Sequence, residues 1–173
     1  TDGGGPEEVA NHVIICGFGR VGQTVAALMA RQQVPYVALD MNPDLVRERI
    51  LSGIPVHYGD SARHETLKRL GADRAVAAII TLDDPAAAAR TVAAFRDHWP
   101  ALRLFARARD RAHAATLLAH GVEAVGPEWF ESSRVGARGA LESLGVPSAA
   151  VDELVTLYRE TDHGMTRASD GQT

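Results

Sequence analysis

The sequence predicts an α/β fold, a doubly wound six-stranded parallel sheet followed by two C-terminal helices. Three observations carry that expectation. Short β-branched runs alternate with stretches of helical periodicity from residue 12 to residue 126, and strands separated by helices of about 10–15 residues join as right-handed βαβ units in a parallel sheet. A glycine-rich turn at 17–22 stands directly between the first run and the first helical stretch. Turn formers fall where strand and helix must exchange, among them Gly53, Gly71, Gly121 and the Asn42-Pro43 and Asp84-Pro85 pairs.

Residues 1–11 (TDGGGPEEVAN) are glycine-rich and polar, without apolar periodicity, and are expected to form a flexible linker. The chain opens on Thr1 rather than Met, which points to a piece of a larger protein. The expected strands are 13–16, 36–39, 55–58, 76–81, 102–106 and 122–125. Between them, Val21, Val25, Leu28 and Met29 recur at helical spacing, as do Leu45, Val46, Ile50 and Leu51. After Pro127 the texture is purely helical. Residues 128–144 carry Trp129, Phe130, Val135, Leu141 and Leu144, and Gly145-Val146-Pro147 stops that helix. A second helix is expected over 148–162, with Val151, Leu154, Val155 and Tyr158 at spacings of three and four and Ser148 as its cap. The expected organisation is therefore a linker at 1–11, a nucleotide-binding domain at 12–126, dimerisation helices at 127–163 and a disordered tail at 164–173.

Composition excludes several classes. With 173 residues, 46% hydrophobic and 23% charged, the chain is one domain able to bury a core, and it is too apolar to be disordered. A net charge of −4 argues against a protein that grips nucleic acid. A single cysteine, Cys16, rules out an internal disulfide framework and a multi-cysteine zinc site. Apolar stretches are too short to span a bilayer as a helix.

The turn after the first strand reads Gly17-Phe18-Gly19-Arg20-Val21-Gly22. Gly17 permits a tight turn, Gly19 lets backbone approach a pyrophosphate, and Gly22 allows close packing of helix on strand. The helix that follows would aim its N-terminal amides at the phosphates. Asp40 ends the second strand 18 residues after Gly22, near the spacing at which such folds place a carboxylate on ribose hydroxyls. A carboxylate there disfavours a 2′-phosphate, so NAD or an adenosine nucleotide is expected over NADP. These features make the expected fold Rossmann-like. The structural alternative for Asp40 is to cap the helix opened by Asn42 and Pro43.

Other candidates collect at the carboxyl ends of the expected strands, where such a fold binds ligands. Met41 stands beside Asp40, and Asp60 and Ser61 follow the third strand on the adenine side, Asp60 with helix capping as its alternative. Thr81 and Asp83 follow the fourth strand, although Asp84-Pro85 equally reads as a helix start. Arg107 and Arg109 end the fifth strand on one face. Two guanidiniums there suit a nucleotide phosphate, a carboxylate ligand or a partner subunit's carboxylate, against a plain surface salt-bridge network. Arg20 could brace a phosphate, touch a neighbouring subunit or face solvent.

Catalytic apparatus is missing from this pattern. No His–carboxylate pairing at helical spacing among the seven histidines calls for catalytic tuning, and no H-E-x-x-H occurs, so neither a catalytic residue nor a metal site is expected. His57 and His64, which straddle the nucleotide edge, are the strongest of the histidines. Cys16, inside an apolar strand, is expected to be a buried, inert thiol. A nucleotide fold without catalytic residues reads as a sensor rather than an enzyme.

Taken in order, G-F-G-R-V-G-Q, V-A-L-D, V-H-Y-G-D-S, T-L-D-D-P, F-A-R-A-R-D and G-A-L-E-S-L-G resemble the RCK, KTN or TrkA-N regulatory domains of bacterial potassium systems. The likeness is greatest to the C-terminal domain of Kef-type glutathione-regulated potassium-efflux antiporters and covers about residues 12–146. The resemblance implies AMP or NAD(H) as cofactor, a homodimer formed through a helix after the sixth strand, and control of a membrane antiporter domain of the same chain. It places Gly17, Gly19, Arg20, Asp40, Asp60 and Arg107 at nucleotide positions. It places Arg109 and the segment with Glu142 and Ser143 near a glutathione-type effector site. The implied location is the cytoplasmic face of the bacterial inner membrane, the implied function gating of a potassium:proton antiporter. Alternatives are a soluble Trk- or Ktr-type regulatory subunit and an NAD-dependent oxidoreductase whose site is completed across a dimer. A DNA-binding repressor is disfavoured by the acidic balance.

Overall fold

In the computed structural model, residues 9–107, 110–125, 142, 147–153 and 156 are described. In chain order these form β1 (Val13–Cys16), α1 (Arg20–Arg31), β2 (Tyr36–Asp40), α2 (Pro43–Leu51), β3 (Val56–Tyr58) and α3 (His64–Arg69). They continue through β4 (Ala77–Ile80), α4 (Pro85–His98), β5 (Arg103–Arg107), α5 (Arg111–Ala119) and β6 (Val122–Val125). The six strands make one sheet in the order β3-β2-β1-β4-β5-β6, all pairs parallel. This is the doubly wound, Rossmann-like arrangement, with the reversal of strand order between β1 and β4.

β1 and β4 are buried at every position, as strands covered on both faces must be. Alternation along each strand divides the core in two. One face joins Val13, Ile15, Ile79 and Phe105 to Val25 and Met29 of α1 and Val46 of α2. The other joins Ile14, Cys16, Ile80 and Leu104 to Leu67 of α3, Phe95 of α4 and Leu117 of α5. Full burial of such side chains contributes about 1.5–3 kcal/mol each.

Local chemistry sets the helix starts. Asn42 accepts hydrogen bonds from the amides of Asp44 and Leu45, with Pro43 opening α2. Asp84 accepts from Ala86 ahead of Pro85, so that pair is a helix start as its spelling suggests. Asp110 accepts from His113 at the start of α5.

Residues 9 and 11, read from sequence as part of the linker, are fastened to the domain. The Asn11 amide donates to the Arg74 carbonyl at 2.9 Å, Arg74 Nε donates to the Val9 carbonyl at 3.1 Å, and Val9 packs against the second core. His12 is fully buried, its Nε2 donating to the Leu70 carbonyl at 2.8 Å.

The expected helix at 128–144 lies outside the described residues except for Glu142. Of the second, residues 148–153 and 156 are helical. Ala150 and Val151 are buried against the face that holds α1, and Glu153 pairs with Arg31 at 2.7 Å. Ser148 does not cap by its side chain: its hydroxyl donates to Glu142 Oε1 at 2.9 Å, and the Pro147 carbonyl accepts the Ala150 and Val151 amides. No helix among the described residues is long and apolar enough to cross a membrane.

Candidate functional site

The turn between β1 and α1 is held from three sides. The Gly17 amide donates to the Leu39 carbonyl of β2 at 2.9 Å. The Thr81 hydroxyl, just past β4, donates to the Gly17 carbonyl at 2.8 Å and lies 3.2 Å from that of Cys16. Asp40 Oδ2, at the end of β2, accepts the Phe18 amide at 2.7 Å. Thus both strands flanking β1 clamp the turn by its backbone.

Each glycine has a distinct physical reason. Gly17 has φ +107°, a conformation side chains rarely adopt, and a Cβ there would stand 2.7 Å from Thr81 Oγ1. A Cβ on Gly22 would stand 2.0 Å from the Gly17 carbonyl oxygen, so α1 can sit this close to β1 only without a side chain. Gly19 is the opposite case, with nothing within 4 Å of its Cβ position. Of the three glycines of this turn, only Gly19 faces open space, and it is also the N-cap of α1, which has no side-chain cap and no acidic residue in its first turn. Uncapped amides and the positive end of the helix dipole thus meet an open space, a geometry that fits an anionic phosphate.

Around this turn the sheet collects Asp40 at the end of β2, Asp60 past β3, Thr81 past β4 and Arg107 at the end of β5 on one carboxyl edge. Asp40 does two jobs: besides Phe18, its Oδ1 accepts the Asn42 amide at 2.8 Å. Asp60 Oδ1 accepts the Ala62 amide at 2.9 Å. Arg20, Met41 and Asp83 are exposed at this edge, and Val21 packs half-buried against the core.

Two candidates are turned to other uses. Phe18 buries its ring, gives its amide to Asp40 and accepts Gln23 Nε2 on its carbonyl at 2.9 Å. Ser61 is buried, its hydroxyl 2.7 Å from that of Thr91 on α4. Both shape the site from beneath. Arg109 and Ser143 lie outside the described residues, and Glu142 is exposed.

Burial pushes the Cys16 thiol up to about 12, so it stays protonated and inert. Burial, then the charge of Arg69, holds the His57 imidazole below its ordinary range. His64 stacks on His98 with ring centroids 4.2 Å apart. Among the described residues no cluster of three or more His, Cys, Asp or Glu could hold a metal ion.

A family model described as the TrkA-N domain matches residues 13–126. This chain belongs to the TrkA-N domain family. Its curated relatives include potassium-efflux antiporters. K(+) efflux antiporter 2, chloroplastic, of Arabidopsis thaliana is 38% identical over 153 residues, covering 88% of this chain and 13% of that protein. The glutathione-regulated potassium-efflux system protein KefC of Klebsiella pneumoniae is 37% identical over 153 residues, again 88% of this chain and 25% of that protein. The chain therefore spans a quarter or less of these two relatives. Among solved structures, the Shewanella denitrificans Kef CTD in AMP bound form is 32% identical, covers 89% of this chain and 94% of that one, and superposes with a TM-score of 0.59.

Proposed function

We propose that this TrkA-N domain is a nucleotide sensor that regulates a potassium:proton antiporter, with AMP as the favoured ligand and NAD(H) as the alternative adenine nucleotide. The observation that carries the reading is the open space at Gly19, at the uncapped end of α1, in a turn otherwise locked by backbone hydrogen bonds. Similarity to a Kef C-terminal domain bound to AMP supports the choice of ligand.

In this reading the amides of Gly19, Arg20, Val21 and Gly22 receive the phosphate, and the Arg20 and Arg107 guanidiniums neutralise it. Gly17, Phe18, Thr81 and Ser61 position the turn and the edge. Asp40 accepts the ribose hydroxyls on the carboxylate lone pairs that Phe18 and Asn42 leave over, with Met41, Asp60 and Asp83 lining the nucleoside side. The domain regulates rather than catalyses: occupancy shifts the population of a homodimer formed by the helices after β6, and the membrane domain of the same protein reads that shift. A glutathione-type effector acts at Arg109, Glu142 and Ser143, at the cytoplasmic face of the inner membrane.

Calorimetric titration with AMP, ADP, ATP, NAD and NADH tests the proposal. One-site AMP binding, weakened at least tenfold by Gly19→Val with an unchanged melting temperature, is expected. Absence of binding by all five nucleotides would overturn it.

A further inference from the structure

A second cavity lies away from the nucleotide edge, along the outer strand β3. It encloses about 490 Å³, within the roughly 300–1,000 Å³ of small-molecule sites. None of residues 17–22, Asp40, Asp60 or Thr81 lines it. Its floor is apolar, from Val37 and Leu70 with Val9 of the entering chain, all of the second core, while Val46 of α2 lines it from across the β3 edge. Its rim is polar and basic, from Arg69, Arg74, His57 and Tyr58.

The charge of that rim is unbalanced. Among the described residues no Asp or Glu lines the cavity, and no carboxylate pairs with Arg69. Arg74 gives its Nε to the Val9 carbonyl, a neutral partner that leaves its charge uncompensated. His57, whose proton affinity is lowered by burial and by Arg69, adds a hydrogen-bonding ring. Ile50 and the ring of Tyr58, 54% and 59% exposed, stand at the mouth as large exposed groups. A guanidinium pair over an apolar floor selects a ligand with one anionic head and a hydrocarbon body.

We infer that the β3-edge cavity is a second ligand site, taking an apolar monocarboxylate with its head on Arg69 and Arg74 and its body on Val9, Val37 and Leu70. The site is independent of the nucleotide reading and stands or falls without it.

Isothermal titration of the 173-residue chain with decanoate, decanol and acetate separates the head from the body. Saturable one-site binding of decanoate, unaffected by saturating AMP, is expected, with decanol and acetate each at least tenfold weaker. Arg69→Gln should weaken decanoate roughly tenfold, the loss of one charge-assisted hydrogen bond. Ile50→Glu should abolish binding by placing a like charge at the mouth. Both residues are exposed, and an unchanged circular dichroism melt confirms that the variants fold. Decanol binding as tightly as decanoate, acetate binding equally well, displacement of decanoate by AMP, or no saturation with wild-type protein would each overturn the inference.

Discussion

The turn after β1 and the outer edge along β3 belong to one sheet, yet they are built by opposite means. At the turn, backbone is tied to backbone and to two side chains from neighbouring strands, and three glycines leave space only where Gly19 faces out. At the outer edge there is a cavity walled by side chains, several of them exposed. The difference teaches where tolerance resides. A site made from fixed amides recognises one charge geometry and admits no added atom at Gly17 or Gly22, whereas a site walled by rotatable side chains accommodates change.

The sharpest way to break that contrast is to add one methyl group at two glycines of the same turn. In Gly22→Ala the new carbon would stand 2.0 Å from a carbonyl oxygen and 2.9 Å from its carbon, both backbone atoms that cannot swing aside. A loss of roughly 3 kcal/mol or more is expected, read as a fall in the midpoint of urea unfolding. Gly19→Ala meets open space and a φ of −72° that alanine accepts, so stability should hold within about 0.5 kcal/mol while AMP affinity falls. Equal destabilisation by the two would mean that the turn is not locked as described.

Asp40 comes next. Asp40→Asn keeps one acceptor oxygen but replaces the other by an amino group, so either the Phe18 or the Asn42 amide loses its charge-assisted bond. The expected cost is about 1.5–3 kcal/mol of stability, with a parallel drop in AMP affinity in calorimetry. Lost affinity with unchanged stability would make Asp40 a ligand contact alone and remove its role as the staple between β1 and β2.

How much of this was legible beforehand depends on the range of the interaction. Gly17, Gly19, Gly22 and Asp40 were visible because a phosphate-binding turn imposes a local spelling and spacing. Strand limits at 13–16 and 122–125 were visible for a similar reason, apolar runs flanked by breakers. The staple from Asp40 to the Phe18 amide joins residues 22 positions apart, and nothing in the spacing distinguishes it from a helix cap. Ser61 bonding Thr91 and His12 bonding Leu70 are likewise pairings that only the folded sheet creates. His12, a polar residue ahead of a strand, gave no sign that it is fully buried. The β3-edge cavity was illegible altogether, since its wall gathers Val9, Val37, Val46 and Arg69 from four separate segments.

His12 offers a smaller test, at the border of the outer edge. Its Nε2 donates to the Leu70 carbonyl, and its buried Nδ1 has no partner among the described residues. Burial, partly offset by the Leu70 bond, lowers its proton affinity below the ordinary value, with Arg74 pushing the same way as burial. A folded-state value below the unfolded one means that the unfolded chain binds the extra proton first, so stability present above about pH 6.5 is lost as pH falls through the folded value. His57 acts in the same direction. His12→Gln, whose amide still reaches a carbonyl, should therefore lose less stability than wild type between about pH 7.5 and 5, measured by urea unfolding at each pH. An identical loss in both proteins would assign the pH dependence elsewhere.

The smallest effect is expected where the outer edge is most open. Leu51, the last residue of α2, is 85% exposed, so its side chain contributes almost no burial. Lysine at the C-terminal end of a helix meets the negative end of the dipole, worth about 0.3–1 kcal/mol at an exposed site. Leu51→Lys should thus leave the urea midpoint unchanged or raise it slightly, although it exchanges a large apolar group for a charge. Set against Gly22→Ala, where one methyl group costs roughly 3 kcal/mol, the pair measures how far tolerance differs across one sheet. A clear loss of stability in Leu51→Lys would show that something covers the end of α2 in solution, and the outer edge would then be an interface rather than an open rim.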